Sequence, residues 1–191
     1  MTPPAINPDS IITDVKEWLE KAVIGLNLCP FAKSVYVRER IRFVVSDAAS
    51  TDALAATLME ELAFLQAADP VQTDTTLIIH PHVLQNFGDY NDFLGVADAL
   101  LGHMGFTGEL QIASFHPDYQ FADTDTSDIT NYTNRSPYPI LHLLREASIE
   151  AAVASHPDPD SIYENNMETL RKLGLEGWLQ LNIPTGRNNK Q

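Results

Sequence analysis

The segment LQIASFHP, residues 110–117, decides the fold class of this chain. It is a short apolar run that follows a turn bracketed by Gly105 and Gly108 and ends in a His-Pro dipeptide, which is typical of a buried strand. TLIIHP, residues 76–81, has the same form, and RFVVSD, residues 42–47, is a third short apolar run. Together they predict a sheet with three core strands.

The segments around these runs carry apolar residues at helical spacing. Residues 10–28 place Ile11, Val15 and Trp18 on one stripe, and Leu54, Leu58, Leu62 and Leu65 form another stripe behind a Ser50 cap. Further helices are predicted over residues 89–104 and 140–155, and over 161–173 behind a Ser161–Glu164 capping box. WLQLNI, residues 178–183, predicts a short edge strand.

The order of strands and helices predicts an α/β fold. The connections are long enough for right-handed crossovers, which favours parallel pairing. We therefore expect a single-domain α/β sandwich over residues 1–191, with a small mostly parallel sheet of three core strands flanked by helices. Residues 1–9 and 184–191 are predicted to be flexible tails.

Composition and charge exclude several classes of protein. The chain has 191 residues, 44% of them hydrophobic and 20% charged, which is ordinary for a globular domain. Its net charge is −14 and residues 43–134 contain no Lys or Arg, so nucleic acid is not an expected partner. No apolar run is long enough for a membrane span. The start MTPPAINPDS does not read as a signal peptide and Cys29 is the single cysteine, so we expect a cytoplasmic protein without a membrane partner.

Two histidines lie at predicted strand ends. In parallel pairing, the carboxyl ends that carry His80 and His116 meet at one edge of the sheet, where ligand sites of open α/β sheets lie. Imidazole and carboxylate groups are common ligands of transition metals, so His80, His116 and Asp118 form a candidate metal site. The alternative is that each histidine is a strand-end residue hydrogen-bonded to backbone.

Cys29 offers a second chemistry. In NLCPFAK, Pro30 can begin a new helical turn, and a thiol at a helix N-terminus has a lowered pKa. A Cys-dependent enzyme would use His80 or His116 as the base, with an asparagine to orient it. If Cys29 instead ends the first helix, it is simply packed. The catalytic candidates are therefore His116, His80 and Cys29.

The segment after the third strand is the predicted substrate-binding region. A loop of about twenty residues, 117–136, is usually functional when it lies in a compact domain. Arg135 is the only Lys or Arg between Arg42 and Arg145, and it predicts a partly anionic small-molecule ligand. The remaining ligand-binding candidates are Asp118, Tyr119, Asn131, Asn134, His142, Arg145 and Glu146. The last three have helical spacing and would share one face, which could equally be a solvated helix surface.

Several motifs resemble a known family. GLNLCPFAK, ASFHPDYQF, NYTNRSPYPILHLLREASIE and IYENNMETLRKLG are similar to the bacterial family catalogued as domain of unknown function 1415, from about Trp18 to Trp178. The resemblance implies a small soluble bacterial protein and supplies no activity. Short fragments around Cys29 and His116 are also similar to haem-dependent guanidine N-hydroxylases, and that similarity implies His116 as an axial iron ligand.

The leading functional prediction is a small-molecule site with metal- or haem-assisted chemistry at the strand-end edge. The cofactor would be a transition metal or haem. A non-catalytic ligand-binding module is the alternative from a different class, in which the same polar residues hold a ligand without reacting with it.

Overall fold

The order of elements follows the predicted alternation as far as the strand at 110–115, with an additional short helix at 32–37, and then differs, because a strand begins at Ile140 where a helix was predicted. The structure, a computed structural model, describes residues 7–186. The helices are α1 (Pro8–Trp18), α2 (Ala32–Val37), α3 (Thr51–Ala67), α4 (Phe87–His103), α5 (Glu146–Ser155) and α6 (Ile162–Gln180). The strands are β1 (Ile41–Val45), β2 (Thr75–Ile79), β3 (Leu110–Phe115) and β4 (Ile140–Arg145). A π-helical segment, Leu19–Ile24, continues α1, and two 3₁₀ turns cover Ile129–Thr133 and Pro159–Ser161.

The sheet has four strands in the order β1-β2-β4-β3. β1 and β2 are parallel, whereas β4 is antiparallel to both of its neighbours. The prediction of three core strands in a mostly parallel sheet is therefore wrong. β4 occupies residues that were predicted to begin a helix. Because it is central and packed on both faces, its sequence ILHLLR is a nearly continuous apolar run rather than an alternating one.

The common edge of the three predicted strands is nevertheless present. β4 reverses direction relative to both β2 and β3, so β1, β2 and β3 all run the same way. Ile79 at the end of β2 and Phe115 at the end of β3 both pair with Ile140 at the start of β4. The residues that follow, His80 and His116, consequently leave the sheet at the same edge.

Two hydrophobic cores cover the two faces of the sheet. α3 and α4 pack on one face, where Leu54, Leu58, Leu62 and Leu65 are fully buried as predicted. The Ser50 side chain accepts a hydrogen bond from the Ala53 amide at 3.2 Å, which confirms the predicted cap of α3. α1, the π-helical segment and α6 pack on the other face. We refer to these as the α3/α4 face and the α1/α6 face.

The C-terminal region differs from its prediction. α6 continues to Gln180, so residues 178–183 do not form an edge strand. Ser161 has helical backbone geometry and makes no side-chain cap, and the predicted capping box with Glu164 is wrong. The predicted end near residue 173 corresponds to Gly174, whose positive φ of 65° kinks the helix without ending it.

The predicted tails fall mostly outside the described residues, because 1–6 and 187–191 are not described. Within the described part, Pro8 and Asp9 begin α1 and the Gly186 amide donates a hydrogen bond to the Pro137 carbonyl at 3.1 Å. None of the helices in residues 7–186 has the length and apolar character to span a membrane.

Candidate functional site

His80 and His116 meet on the ring of Tyr90, which α4 brings to the strand-end edge. The ring centroid of Tyr90 lies 5.8 Å from that of His80 and 5.0 Å from that of His116. All three side chains have 0% relative exposure. The two histidines therefore converge, but in a buried aromatic cluster and not in the lining of the cleft described below.

The hydrogen bonds of His116 fix its tautomer. Nδ1 accepts from the Asp118 amide at 3.0 Å, and Nε2 must therefore carry the proton that it donates to the Leu84 carbonyl at 3.1 Å. Both ring nitrogens hold backbone, as in the alternative interpretation of a strand-end histidine. In this arrangement neither nitrogen is directed at a metal or at haem iron.

His80 is held in a neutral form. Its Nδ1 donates to the Val83 carbonyl at 3.0 Å, while Nε2 is buried and has no hydrogen-bond partner among residues 7–186. Burial, with a smaller contribution from His116, lowers the pKa of His80 to about 4. A general base works best with a pKa near the working pH, so His80 is poorly suited to that role at neutral pH.

The hydroxyl of Tyr90 joins two strands at this edge. It donates to the Ile140 carbonyl at 2.7 Å and accepts from the Phe115 amide at 3.1 Å. Its burial raises the pKa of the phenol. The Tyr90 hydroxyl of α4 thus contacts the first residue of β4, a strand in a region that the sequence predicts to be helical.

We expect Tyr90→Phe to lower the free energy of unfolding by about 1–3 kcal/mol, because two buried backbone groups lose their partner. Urea denaturation measures this change. The control Tyr163→Phe removes a hydroxyl from a side chain that is 53% exposed, and we expect a change within about 0.5 kcal/mol. Equal effects of the two substitutions would contradict the bridging role of Tyr90.

The predicted metal ligands do not form a ligand cluster. Within residues 7–186 there is no group of three or more His, Cys, Asp or Glu side chains placed to hold a metal ion. His80 uses Nδ1 on the Val83 carbonyl, and His116 uses both ring nitrogens on backbone groups, one of which is the Asp118 amide. The chemistry predicted for this edge, with His80, His116 and Asp118 as metal ligands, therefore has no support in their arrangement.

Cys29 lies in the turn that precedes α2. The helix begins at Ala32, so Pro30 does not begin it. The thiol is partly buried against the α1/α6 core. Burial raises the pKa of Cys29 by more than the nearby amides of Phe31 and Ala32 lower it. This favours the packed thiol over the activated thiolate.

Two asparagines order the long loop. Oδ1 of the buried Asn131 accepts from the Phe121 amide at 2.9 Å and from the Thr124 hydroxyl at 2.8 Å, and its Nδ2 donates to the Asp125 carbonyl at 2.8 Å. Asn134 donates from Nδ2 to the Ser114 carbonyl at 3.1 Å, and its backbone carbonyl accepts a hydrogen bond from the His116 amide. The polar atoms predicted to contact a ligand therefore hold the loop together.

The aromatic residue Tyr119 in the same loop is packed inward. Its ring lies 5.1 Å from that of Phe87 and 5.0 Å from that of Phe121. It extends the buried cluster around His116 toward the surface and does not line the cleft.

The predicted helical face of His142, Arg145 and Glu146 does not exist. His142 and Arg145 lie on β4, and Glu146 is the first residue of α5. The Nη2 of Arg145 shares its two protons among three carbonyls at the end of α3 and just beyond it, those of Leu65, Ala68 and Thr73, at 2.6, 2.7 and 3.1 Å. Arg145 therefore links β4 to the C-terminal end of α3, and we call this contact the clamp on α3.

His142 faces the α1/α6 side of β4. The hydroxyl of Thr75 donates its single proton to the Leu143 carbonyl at 2.5 Å. The Nε2 of His142 lies 2.6 Å from the same hydroxyl oxygen and therefore carries a proton, which it donates to that oxygen. Burial lowers the pKa of His142 to about 4. Its role in the described contacts is structural.

A cleft lies beside the aromatic cluster, between the long loop and the segment 183–186 that follows α6. It has a volume of about 260 Å³, and its lining includes Trp18, Asp118, Tyr132, Arg135, Trp178 and Gly186. The rings of Tyr132 and Trp178 meet edge to face at 4.8 Å, and the guanidinium of Arg135 lies 4.4 Å above the Tyr132 ring. We call this site the Arg135 cleft.

Arg135 is held in place by the loop. Its Nε donates to the Tyr119 carbonyl at 3.1 Å and its Nη2 donates to the Thr126 carbonyl at 2.8 Å. Within residues 7–186 it makes no ion pair. The guanidinium is therefore positioned by neutral carbonyl groups.

The far wall of the cleft is the segment after α6. Lys21 of the π-helical segment donates to the Asn182 carbonyl at 3.0 Å, which holds this segment against α1. Gly186 packs so closely on Tyr138 that a Cβ would lie 2.4 Å from the ring carbon Cε1. A larger residue at this position would displace the wall.

Asp118 and Arg135 of this lining are among the ligand-binding candidates that the sequence predicts, whereas its aromatic walls are not. Trp18 and Trp178 were assigned to a helical stripe and to a strand, and the segment 183–186 was assigned mainly to a tail. The cleft combines both ends of the chain, a long-range contact that no local pattern carries. The sequence signal that could have indicated these walls is that the two tryptophans of the chain, Trp18 and Trp178, lie near its two ends.

The fold and the site define a mixed α/β protein with a small aromatic cleft that contains one arginine. The sequence profile described as Protein of unknown function (DUF1415) matches residues 10–180, and the chain belongs to this family. No curated protein and no solved structure is significantly similar.

Proposed function

We propose that this protein binds a small organic anion in the Arg135 cleft. The observation that carries the proposal is the position of Arg135, the only Lys or Arg between Arg42 and Arg145 in a chain of net charge −14, in the lining of an aromatic cleft. The guanidinium of Arg135, which is held by neutral carbonyls, attracts a ligand carboxylate at short range. An arginine also offers directed donors to such a group.

The walls of the cleft support a ligand with a flat or apolar body. The rings of Tyr132 and Trp178 provide apolar surface beside the guanidinium. Ligand sites generally combine such surface with a few directed polar groups. The volume of about 260 Å³ lies just below the usual range for such sites, which favours a compact ligand.

We propose binding without chemistry because the predicted catalytic groups lie outside the lining of this cleft. His80, His116 and Cys29 are not among its lining residues. Both ring nitrogens of His116 are bonded to backbone, burial lowers the pKa of His80 to about 4, and burial raises the pKa of Cys29. A binding protein requires none of these groups to react.

Calorimetric titration with benzoate and with its neutral isostere benzamide tests the proposal. We expect benzoate to bind and benzamide to bind at least tenfold more weakly. Arg135→Gln should weaken benzoate binding by about 10- to 100-fold, on the scale of roughly 1.5–3 kcal/mol for a hydrogen bond to a charged group. Arg135→Lys should retain part of the affinity.

The control is Arg171→Gln, which removes an exposed cation from α6 and should leave the affinity unchanged. Because Arg135 also holds the loop, its variants are titrated well below their melting temperatures. Equal binding of benzoate and benzamide, or full affinity in Arg135→Gln, would contradict the proposal.

A further inference from the structure

β1 forms one edge of the sheet, and one row of its backbone groups points outward. The pairing with β2 runs through the even-numbered residues, since the Thr75 amide donates to the Arg40 carbonyl and the Ser46 amide to the Ile79 carbonyl. Backbone groups of alternate residues point to opposite sides of a strand. The N–H and C=O groups of Ile41, Phe43 and Val45 therefore face away from β2, and within residues 7–186 no hydrogen bond reaches them from another element.

This edge is more accessible than the interior of the sheet. All five residues of β1 are partly exposed, whereas all five residues of β2 are buried. Val37, in the approach to the strand, is 69% exposed and adds an apolar contact. An added strand would find both backbone partners and apolar side-chain surface here.

The edge is also basic in an acidic protein. Lys33 and Arg38 are exposed, and the Nζ of the exposed Lys16 lies 5.3 Å from the ring centroid of Phe43 in the middle of the strand. Arg40 adds a further cation directly before the strand. Glu39 is the only acidic residue between 33 and 42. Arg42 of the strand itself is paired with Glu61, whereas Lys16, Lys33, Arg38 and Arg40 make no ion pair within residues 7–186 and are the cations available around β1.

The other edge of the sheet, β3, is partly covered and lacks basic residues. At β3, Asn134 covers the end of the strand by bonding the Ser114 carbonyl and the His116 amide. Residues 43–134, which include all of β3, contain no Lys or Arg. The contrast assigns strand addition to the β1 edge.

We propose that the outer edge of β1 binds an extended acidic segment of a partner protein by β-strand addition. Its acidic side chains would alternate with small apolar ones, so that they meet the cations around the strand while the backbone pairs with Ile41, Phe43 and Val45. A second copy of this chain fits less well, because pairing β1 with itself would bring two basic windows together. The proposal does not depend on the Arg135 cleft.

Fluorescence anisotropy with two labelled peptides, EVETEVE and its lysine counterpart KVKTKVK, tests this inference on the full chain. We expect the acidic peptide to bind, with affinity that falls as salt is raised, and the basic peptide not to bind. Ile41→Pro removes an outward N–H without touching the β1–β2 pairing, and should weaken binding about tenfold or more. The matched change Ile112→Pro on β3 should have no effect. The double substitution Arg38→Glu and Arg40→Glu should reverse the preference between the peptides.

Amide hydrogen exchange in the unmodified protein gives a second measurement that does not depend on how the proline variants fold. We expect the amides of Ile41, Phe43 and Val45 to exchange rapidly alone and slowly with the acidic peptide. Unchanged exchange, or equal binding to Ile41→Pro and the parent, would overturn strand addition. A dimer in light scattering that Ile41→Pro dissociates would show that the edge serves a second copy, which also overturns the proposal.

Discussion

Arg145→Met is expected to lower the free energy of unfolding by about 2–4 kcal/mol, the largest effect among the single substitutions considered. The Arg145 guanidinium donates to three carbonyls at and after the end of α3, those of Leu65, Ala68 and Thr73. These carbonyls lie where a helix leaves acceptors without partners and where the helix dipole favours a cation. Hydrogen bonds to charged groups are among the more costly to remove. Urea denaturation followed by circular dichroism measures the loss.

The matched control is Lys172→Met. Lys172 pairs with Glu168 on the surface of α6, and the two side chains are 74% and 62% exposed. Exposed pairs contribute little, so we expect a change below about 1 kcal/mol. A loss of less than about 1 kcal/mol in Arg145→Met would show that the clamp on α3 is not important for stability.

The second large effect is a loss of stability in mild acid. The pKa values of His80 and His142 are lowered to about 4 in the folded protein, from an ordinary value of 6.5, because burial disfavours the charged imidazole. Between these values the unfolded chain takes up protons that the folded protein excludes. Their contribution is therefore fully present above pH 6.5 and is lost as the pH falls from 6.5 toward 4. For His80 the loss is on the order of 3 kcal/mol.

Denaturant unfolding at intervals from pH 7.5 to 4 measures this dependence. His80→Asn retains an amide donor near the position of Nδ1 but cannot titrate, so its stability should fall less steeply over this range. The exposed His103→Asn serves as the control and should follow the parent curve. Parallel curves for the parent and His80→Asn would show that His80 is not the source of the acid sensitivity.

The sequence predicts the local elements of this fold better than their pairing. β2 and β3 are apolar runs bounded by turn residues, and α3 has both its leucine stripe and its Ser50 cap, so all three follow from short-range signals. β4 does not, because a strand buried on both faces loses the alternation that distinguishes it from a helix. Its position between β2 and β3 depends on the return of the chain through the long loop.

In the candidate site, too, features that depend on local sequence are predicted better than those that depend on long-range packing. The convergence of His80 and His116 could be predicted, because it requires only that β2 and β3 run in the same direction. Their burial against Tyr90 could not, since it depends on how α4 packs. Arg135 was identified from its isolation in the charge pattern, whereas the walls of its cleft come from Trp18 and Trp178 at opposite ends of the chain.

Binding of a small organic anion in the Arg135 cleft can be followed by tryptophan fluorescence. Trp18 and Trp178 are the only tryptophans of the chain, and both line this cleft. Intrinsic fluorescence excited at the red edge of tryptophan absorption therefore comes from two residues of this site, both of them largely buried. We predict that benzoate changes the emission in a saturable manner, that benzamide does so only at concentrations at least about tenfold higher, and that Arg135→Gln requires about 10- to 100-fold more benzoate. Emission that is unaffected by benzoate, or that responds equally in Arg135→Gln, would contradict the account.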